Sequence, residues 1–447
     1  MGNRRSFGVL VATVGLAVAA GCESSKDSSG SKESSSRSPD SNGSTEPAYA
    51  ATLRPIITKL MKDNVIPGAV VMITSPKEGN WKAAFGTGTL GKDDPTKVDD
   101  HFRIGSNTKT MTVTVLMQLA QEGKLSLDDP IDKHWPGVPN GDRITLAQLA
   151  EMRSGLYSYT FDYDFSAAVD KDPKKVWKPE ELLAIAFAHP IQFQPGEKFE
   201  YCNTNTILLG LVIEKVTKMP VAEAFRQRIF EPLGLKNTSF PDVTDSSIPD
   251  PHPQGYTFGT MVSTINTYEL PPDQQAAALA GTLQPTDSTT SSPSWAWTAG
   301  AAISTVDDMT TFTKALVEGK LLDAKFQKLR MDSIQPIDPA NPAVAGYGLG
   351  LVRFGEHQFG HDGQLPGFMT YMASDPDSGL TIVVATNLAA VPSGEGSALV
   401  LVKNMLPVFY GANAVPGNDP AQRNTGAEAT TPAASPTEST PWTTTPR

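Results

Sequence analysis

Both ends of the chain are too polar and too low in complexity to form a hydrophobic core, so folding is confined to the middle. Residues 22–47 are rich in Ser, Lys, Asp and Glu, and residues 412–447 are rich in Pro, Thr, Ala and Ser. Segments of this composition bury too little apolar surface to offset the entropy lost on folding. We therefore expect a disordered tether at 22–47, a disordered tail at 412–447, and one folded body at 48–411.

The N-terminal residues are typical of an exported protein. Arg4 and Arg5 precede an apolar run at 7–20 that is too short to span a bilayer, which predicts a signal peptide over residues 1–21. The run ends in Ala-Ala-Gly-Cys22, which resembles a bacterial lipobox and predicts a lipid anchor on Cys22 at the outer face of the cytoplasmic membrane. The alternative is a plain signal peptide followed by a chance cysteine. The two arginines leave open whether export uses the Sec or the Tat route.

Charge and composition argue against several classes of function. The net charge is −11 and no basic stripe is present, so nucleic acid is not an expected partner. Cys22 and Cys202 are the two cysteines, and the six histidines do not pair at metal-ligand spacing. We therefore predict no metal, no cofactor and no disulfide framework.

The order of helical and strand-like segments predicts the fold class. Runs typical of strands lie near both ends of the body, at Ala69–Thr74, Trp81–Phe85, Tyr347–Phe354, Phe368–Ser374 and Leu380–Asn387. Helical spacing lies between and beside them, at Leu53–Asn64, Thr108–Glu122, Thr145–Met152, Glu180–Ala188, Asn205–Thr217 and Asp307–Glu318. This order predicts a mixed α/β (α+β) fold, in which N- and C-terminal segments form an antiparallel sheet flanked by helices, with a mostly helical lobe inserted. The Pro-, Thr- and Ser-rich stretch at 242–294 predicts a long loop that forms a lid or a binding wall.

Ser106 and Lys109 lie at the start of a predicted buried helix, one turn apart and therefore on one face. A serine hydroxyl needs a neighbouring base to act as a nucleophile, and burial lowers the pKa of a lysine enough for its amine to serve. The helix N-terminus adds backbone N–H groups that stabilise developing negative charge. Taken alone, the pair is more typical of a helix N-cap serine and a solvated lysine than of a catalytic pair.

Two further stretches carry polar groups suited to the same chemistry. Tyr201 and Asn203 precede an apolar helix, where a phenol could relay a proton and an amide could hold a substrate carbonyl. Taken alone they are a core aromatic and a helix cap, and Cys202 between them is expected to be a buried small residue. His361 and Gly363 follow a predicted strand, where a turn glycine would let backbone approach a ligand, although a surface histidine beside a plain turn has the same pattern.

The three stretches together resemble the serine β-lactamase-like family, which includes class C β-lactamases, D-alanyl-D-alanine carboxypeptidases and related esterases. That family carries Ser-x-x-Lys, Tyr-x-Asn and Lys/His-x-Gly in this order, and the likeness extends over most of residues 50–405. The resemblance implies that Ser106 forms an acyl-enzyme while Lys109 and Tyr201 share the acid and base roles. It also implies an oxyanion hole from the backbone N–H groups of Ser106 and Gln364. Asn203, His361 and Gly363 are implied to bind substrate.

Two departures from the family pattern affect the expected substrate. Asp362 and Gln364 replace the threonines that accompany the histidine in many carboxypeptidases, and a negative Asp362 facing a carboxylate would repel it. Such members often also carry an arginine on the preceding strand. Here either Val352 or Arg353 occupies the equivalent position, and a register shift of one residue would turn the Arg353 side chain to the other face of the sheet.

These observations leave a ranked set of functions. The first is a D-alanyl-D-alanine carboxypeptidase-like hydrolase acting on a small cell-wall peptide beside the membrane. The second is an esterase or other acyl hydrolase, and a β-lactamase is a lower-ranked member of the same class. A non-catalytic envelope binding protein is the hypothesis from a different class.

Overall fold

The terminal segments of the folded body meet in one antiparallel sheet, as a computed structural model describing residues 46–411 shows. The predicted signal peptide at 1–21, Cys22, nearly all of the tether and the tail at 412–447 lie outside the described residues. The strands are β1 Gly68–Ser75, β2 Gly79–Gly86, β3 Phe102–Arg103, β4 Tyr256–Thr257, β5 Thr286–Asp287, β6 Ile303–Ser304, β7 Gln335–Pro336, β8 Ala345–Tyr347, β9 Val352–Phe354, β10 Gln358–Leu365, β11 Phe368–Ser374 and β12 Thr381–Thr386.

The large sheet has eight strands in the order β2-β1-β12-β11-β10-β9-β8-β7. The N-terminal hairpin β1–β2 pairs with the last strand, β12, with Val70 opposite Ala385. Alternate residues of β1 face opposite sides, so that Val71 packs in one core and Val70 in the other. Both faces of the sheet are therefore covered.

Helices form one layer on each side of this sheet. They are α1 Ala48–Asp63, α2 Thr108–Gln121, α3 Ile131–His134, α4 Leu146–Ala150, α5 Tyr163–Lys171, α6 Pro179–Phe187, α7 Asn203–Thr217, α8 Val221–Phe225, α9 Glu231–Leu233, α10 Pro272–Leu279, α11 Trp297–Gly300, α12 Val306–Val317, α13 Ala324–Asp332 and α14 Ser397–Tyr410. The terminal helices α1 and α14 pack together on one face, and α12 covers β1, β11 and β12 on the other. Helices α2 to α9 form most of the inserted lobe, whose core includes α2 and α7. Among the described residues, no helix combines the length and the apolar character needed to cross a bilayer.

The predicted fold class is confirmed, but three local predictions differ from the structure. The strand predicted at Tyr347–Phe354 is two short strands, β8 and β9, because the chain turns at Gly350 with φ +61. The turn predicted at Gly363 is instead the interior of β10, where Gly363 pairs with Thr370 of β11. The stretch at 242–294 is not all loop, since it contains α10 and the small strand pair β4–β5.

Candidate active site

Ser106 lies in a tight 3-10 turn, Gly105–Asn107, that joins β3 to α2. Gly105 has φ +53, and a Cβ there would lie 2.6 Å from the backbone nitrogen of Gln364 in β10. Glycine is therefore required by both the backbone conformation and the close approach of the strand. The turn holds the half-buried Ser106 hydroxyl at the N-terminus of α2.

Buried side chains tie this turn to the sheet. Asn107 Nδ2 donates to the carbonyl of Ile104 at 3.0 Å and to Thr370 Oγ1 at 2.7 Å. The Thr370 hydroxyl in turn donates to the Ile104 carbonyl at 2.9 Å. Because these groups are fully buried, breaking one bond would leave an unpaired polar atom, which costs about 1–3 kcal/mol.

Lys109 is fully buried one helical turn beyond Ser106. Its Nζ is 2.9 Å from Ser106 Oγ and donates to the carbonyl of Ala299 in α11 at 2.7 Å. Burial lowers the pKa of Lys109 to about 7, and the nearby Asp362 carboxyl opposes part of this effect. An amine with this pKa is substantially uncharged at neutral pH and is able to accept a proton from the hydroxyl it touches.

Tyr201 closes the other side of the Ser106–Lys109 pair. Lys109 Nζ lies 4.8 Å from the centre of the Tyr201 ring. The rings of Tyr347 and His361 each lie 6.2 Å from the Tyr201 ring, measured between centroids. The buried phenol oxygen makes no hydrogen bond of normal geometry with the described residues. Burial and Tyr347 raise the pKa of Tyr201 well above its usual value, and the Ser106 hydroxyl acts in the opposite direction. Tyr201 is therefore a neutral proton donor in this state.

Gly363 lets the backbone of β10 lie directly against the Ser106 turn. A Cβ at Gly363 would lie 1.9 Å from the carbonyl oxygen of Ile104 and 2.8 Å from the nitrogen of Ser106. The backbone nitrogen of Ser106 therefore lies at this contact. The backbone nitrogen of Gln364 lies there too, since it would be 2.6 Å from a Cβ at Gly105. The two backbone nitrogens predicted to form the oxyanion hole therefore lie close together at this contact, and their role as its donors stays a prediction.

His361 is buried and uncharged in this arrangement. Its Nδ1–H donates to the backbone carbonyl of Asp362 at 2.5 Å, which leaves Nε2 to accept from the Tyr347 hydroxyl at 3.2 Å. Burial, together with Lys109, lowers the pKa of His361 to about 3. His361 thus supports the tyrosine cluster and offers no positive charge to a substrate.

Asn203 begins α7 beside the same cavity. Its backbone N–H donates to Ser158 Oγ at 3.1 Å, and its amide Nδ2 donates to Thr160 Oγ1 at 3.2 Å. The adjacent Cys202 is buried, as expected, and its thiol donates to the Leu156 carbonyl. The amide oxygen of Asn203 accepts none of these bonds, and Asn203 is one of the residues that line the cavity.

A cavity of about 380 Å³ opens in front of Ser106. The residues expected from the sequence that line it are Ser106, Tyr201, Asn203, His361 and Gln364, together with Asp362. Much of its wall is apolar, through Phe161, Val169, Met261, Ile265, Trp295, Leu365, Met369 and Leu399. Within residues 46–411, neither lysine nor arginine is among the lining residues, and no cluster of three His, Cys, Asp or Glu suits a metal ion.

One wall of the cavity is the segment 257–268, part of the long stretch for which a binding wall was predicted. Asp170 of α5 holds this segment through two hydrogen bonds, which the backbone amides of Met261 and Val262 donate at 2.7 and 2.9 Å. The guanidinium of Arg353 lies elsewhere, where it donates to the carbonyls of Pro342 and Gly355. The structure therefore brings the three predicted motifs together but leaves Arg353 outside the cavity.

Sequence reasoning missed several groups that position the site. The Ala299 carbonyl, Thr370 and Asp170 each act across more than 90 residues of chain, and no local pattern marks them. In the sequence, Tyr347 stands out only as the first residue of a predicted strand. Its hydrogen bond to His361 depends on the turn between β8 and β9.

Known proteins share the fold of this chain and part of its sequence. A D-stereospecific amidohydrolase from a Streptomyces species is 33% identical, with a TM-score of 0.68, over 82% of this chain and 99% of that one. A D-amino acid amidase from Ochrobactrum anthropi SV3, in complex with L-phenylalanine amide, is 27% identical with a TM-score of 0.66, over 80% of this chain and 98% of that one. Protein flp from Staphylococcus aureus strain MW2 is 31% identical over 190 residues, or 41% of this chain and only 37% of that relative's length.

The profile of the Beta-lactamase family matches residues 53–402, which include every strand of the large sheet and all three motifs. The match covers well over half of the chain, and the fold and the clustered motifs agree with it. The chain therefore belongs to the Beta-lactamase family of serine hydrolases.

Proposed function

We propose that this protein is a serine amidohydrolase that forms an acyl-enzyme on Ser106 and cleaves amide bonds of small D-amino-acid derivatives or short peptides. One observation carries the proposal: a fully buried Lys109 amine touches the Ser106 hydroxyl beside two backbone N–H groups. The choice of substrate class is supported by the fold that this chain shares with a D-stereospecific amidohydrolase and a D-amino acid amidase.

Acylation follows from the groups in contact. Uncharged Lys109 accepts the proton of Ser106 as its oxygen bonds to the substrate carbonyl carbon. The carbonyl oxygen becomes negative and is stabilised by the N–H groups of Ser106 and Gln364, a contribution worth about 3–4 kcal/mol per donor in other hydrolases. Tyr201 then donates its proton to the leaving nitrogen as the C–N bond breaks, and the Lys109 ammonium returns a proton to the phenolate.

Deacylation uses the same groups, with water as the attacking nucleophile and Ser106 as the leaving group. Water loses a proton to the Tyr201–Lys109 pair as its oxygen attacks the ester carbon, and the Ser106 oxygen regains a proton on leaving. In this scheme Lys109 is the first base because its pKa is lowered to about 7, whereas the pKa of Tyr201 is raised.

A D-alanyl-D-alanine carboxypeptidase is the second candidate, because His361 and Gly363 occupy the positions of that group's third motif. Recognition of a C-terminal carboxylate has less support. His361 is uncharged, Arg353 is bound to loop carbonyls, and no lysine or arginine lines the cavity within the described residues. An esterase would share the acyl-enzyme chemistry and requires only a better leaving group.

The test compares wild-type protein with Ser106→Ala on D- and L-phenylalanine amide, a p-nitrophenyl ester, a D-Ala-D-Ala peptide and a fluorescent penicillin. We expect amide hydrolysis by the wild type and a loss of at least about 1000-fold in Ser106→Ala. Ser288→Ala is the matched control, since Ser288 also lines the cavity, whereas the hydrogen bond of Lys109 goes to Ser106. Peptide cleavage without amide cleavage would select the carboxypeptidase, and activity surviving in Ser106→Ala would refute the mechanism.

We also propose that the protein is exported and anchored through a lipid on Cys22, which would place the site at the cell envelope. The charged and apolar N-terminal sequence before Cys22 supports this proposal. Mass spectrometry of the native N-terminus, beside Cys22→Ala, tests it. An unmodified Cys22 in membrane-extracted protein would contradict it.

A further inference from the structure

Asp362 presents a carboxylate to the cavity that the proposed reaction does not use. It lies in β10 between His361 and Gly363, lines the cavity with Ser106 and Tyr201, and has a side chain 14% exposed. Its Oδ1 is buried and accepts no hydrogen bond from another described residue. A buried carboxylate oxygen without a donor from a neighbouring residue is unusual, because desolvation is expensive unless a partner compensates it.

The groups around Asp362 do not supply that partner. His361 Nδ1 is 3.8 Å from Asp362 Oδ1, but the ring is uncharged and its N–H is donated to the backbone carbonyl. Among the described residues, no lysine or arginine lies within 4.0 Å of the carboxylate, although the backbone N–H of Asp362 itself and, to a smaller extent, Lys109 favour its charged form. Burial raises the pKa of Asp362 to about 6, so that the group still carries its charge at neutral pH.

The cavity as a whole is suited to a cation. Its other lining carboxylate, Asp170, already accepts hydrogen bonds from Met261 and Val262 on both oxygens. Since neither lysine nor arginine lines the cavity in the described part of the chain, no lining cation neutralises the charge of Asp362. The apolar residues Phe161, Trp295 and Ile265 line the same cavity as this charge, which gives a large uncharged side chain a place within it.

We propose that Asp362 binds the α-ammonium group of the residue whose carbonyl is attacked by Ser106, so that the substrates are amino-acid amides or peptides with a free N-terminal amine and an apolar first side chain. The inference rests on the proposed function, since it names the substrate class of the same site. Asp362 then acts as a specificity residue. It excludes substrates that present a carboxylate at this position.

The test measures kcat and KM of wild type and Asp362→Asn with phenylalanine p-nitroanilide and its N-acetyl derivative, in both D and L forms. We expect Asp362→Asn to raise KM for the free-amine substrate by roughly 10- to 100-fold, as loss of a charge-assisted hydrogen bond predicts, and to change KM for the acetylated substrate by less than about 3-fold. Asp170→Asn is the matched carboxylate control and should affect both substrates alike.

Other outcomes overturn the inference in recognisable ways. An equal loss on both substrates, with a shifted pH profile of ester hydrolysis, would make Asp362 a counter-charge for Lys109. A wild type that prefers the acetylated substrate would refute ammonium binding while leaving Ser106 catalysis intact. Activity retained by Ser106→Ala on every substrate would refute the proposed function itself.

A binding measurement covers the case in which Asp362→Asn is poorly folded. Calorimetry with Ser106→Ala protein should show binding of phenylalaninamide at least about 10-fold tighter than binding of N-acetylphenylalaninamide. Equal affinity for the two amides would contradict the inference without any change at Asp362.

Discussion

The two sides of the cavity are built in different ways. At the Ser106 side, positions are fixed by backbone packed on backbone: a Cβ at Gly363 would lie 1.9 Å from the Ile104 carbonyl, and Lys109 is fully buried. At the opposite side, the segment 257–268 is held by the Asp170 carboxylate through backbone amides. Reacting groups therefore have little freedom, whereas the substrate wall depends on a few side-chain contacts.

The difference has a physical reason. Acyl transfer requires the hydroxyl, the amine and the oxyanion donors within a few tenths of an ångström, which close packing of rigid elements provides. Substrate choice depends on shape and charge, which loops can vary without disturbing the sheet. Substitutions on the two sides should therefore affect different kinetic constants.

Lys109→Met should have the largest effect and should separate stability from activity. Removal of the base is expected to lower kcat/KM by about 1000-fold or more. The same change should increase the free energy of unfolding near pH 6, because the folded state no longer buries an ammonium. After the cost of leaving the Ala299 carbonyl unpaired is subtracted, we expect a net gain of roughly 1–3 kcal/mol. Denaturant melts and ester hydrolysis measured on the same samples test both parts.

The sign of the stability effect follows from the pKa of Lys109, which falls from 10.5 in the unfolded chain to about 7 in the fold. Below about 7 both states hold the proton and the folded state bears the full cost of burial. Between about 7 and 10.5 the unfolded chain holds more protons, so stability rises with pH. The gain from Lys109→Met should therefore shrink toward high pH, and a gain that is constant with pH would contradict a buried ammonium.

The pH dependence of activity should be the next largest effect. Lys109 must be uncharged to accept the Ser106 proton, so kcat/KM should fall about tenfold per pH unit below a midpoint near 7. A neutral ester is the best substrate for this profile, since its binding does not depend on charge. An acidic limb with a midpoint near 4 would instead indicate that a carboxylate, and not Lys109, is the first base.

The same contrast describes what the sequence could predict. Ser106 and Lys109 share one helical turn, so their proximity follows from spacing alone, and the sheet formed by the two ends of the body follows from the order of its segments. The strand β10 could not be predicted, because its residues Gln358–Leu365 include two glycines and an aspartate, which are unfavourable in strands. Pairing with β9 and β11 overrides that preference, and this pairing is what brings Gly363 to the Ser106 turn.

Asp170→Asn should have a smaller effect, limited to substrate binding. Asn keeps the shape of Asp but replaces one acceptor oxygen with a donor, so one of the hydrogen bonds from Met261 and Val262 is lost and the segment 257–268 is loosened. We expect KM for amide substrates to rise about 3- to 10-fold with kcat nearly unchanged, since the Asp170 carboxylate binds the segment 257–268 through both of its oxygens. Steady-state kinetics test this, with Asp164→Asn, on the same helix but outside the cavity lining, as the control. A fall in kcat with unchanged KM would show that the wall and the reacting groups are coupled, and the division between the two sides would fail.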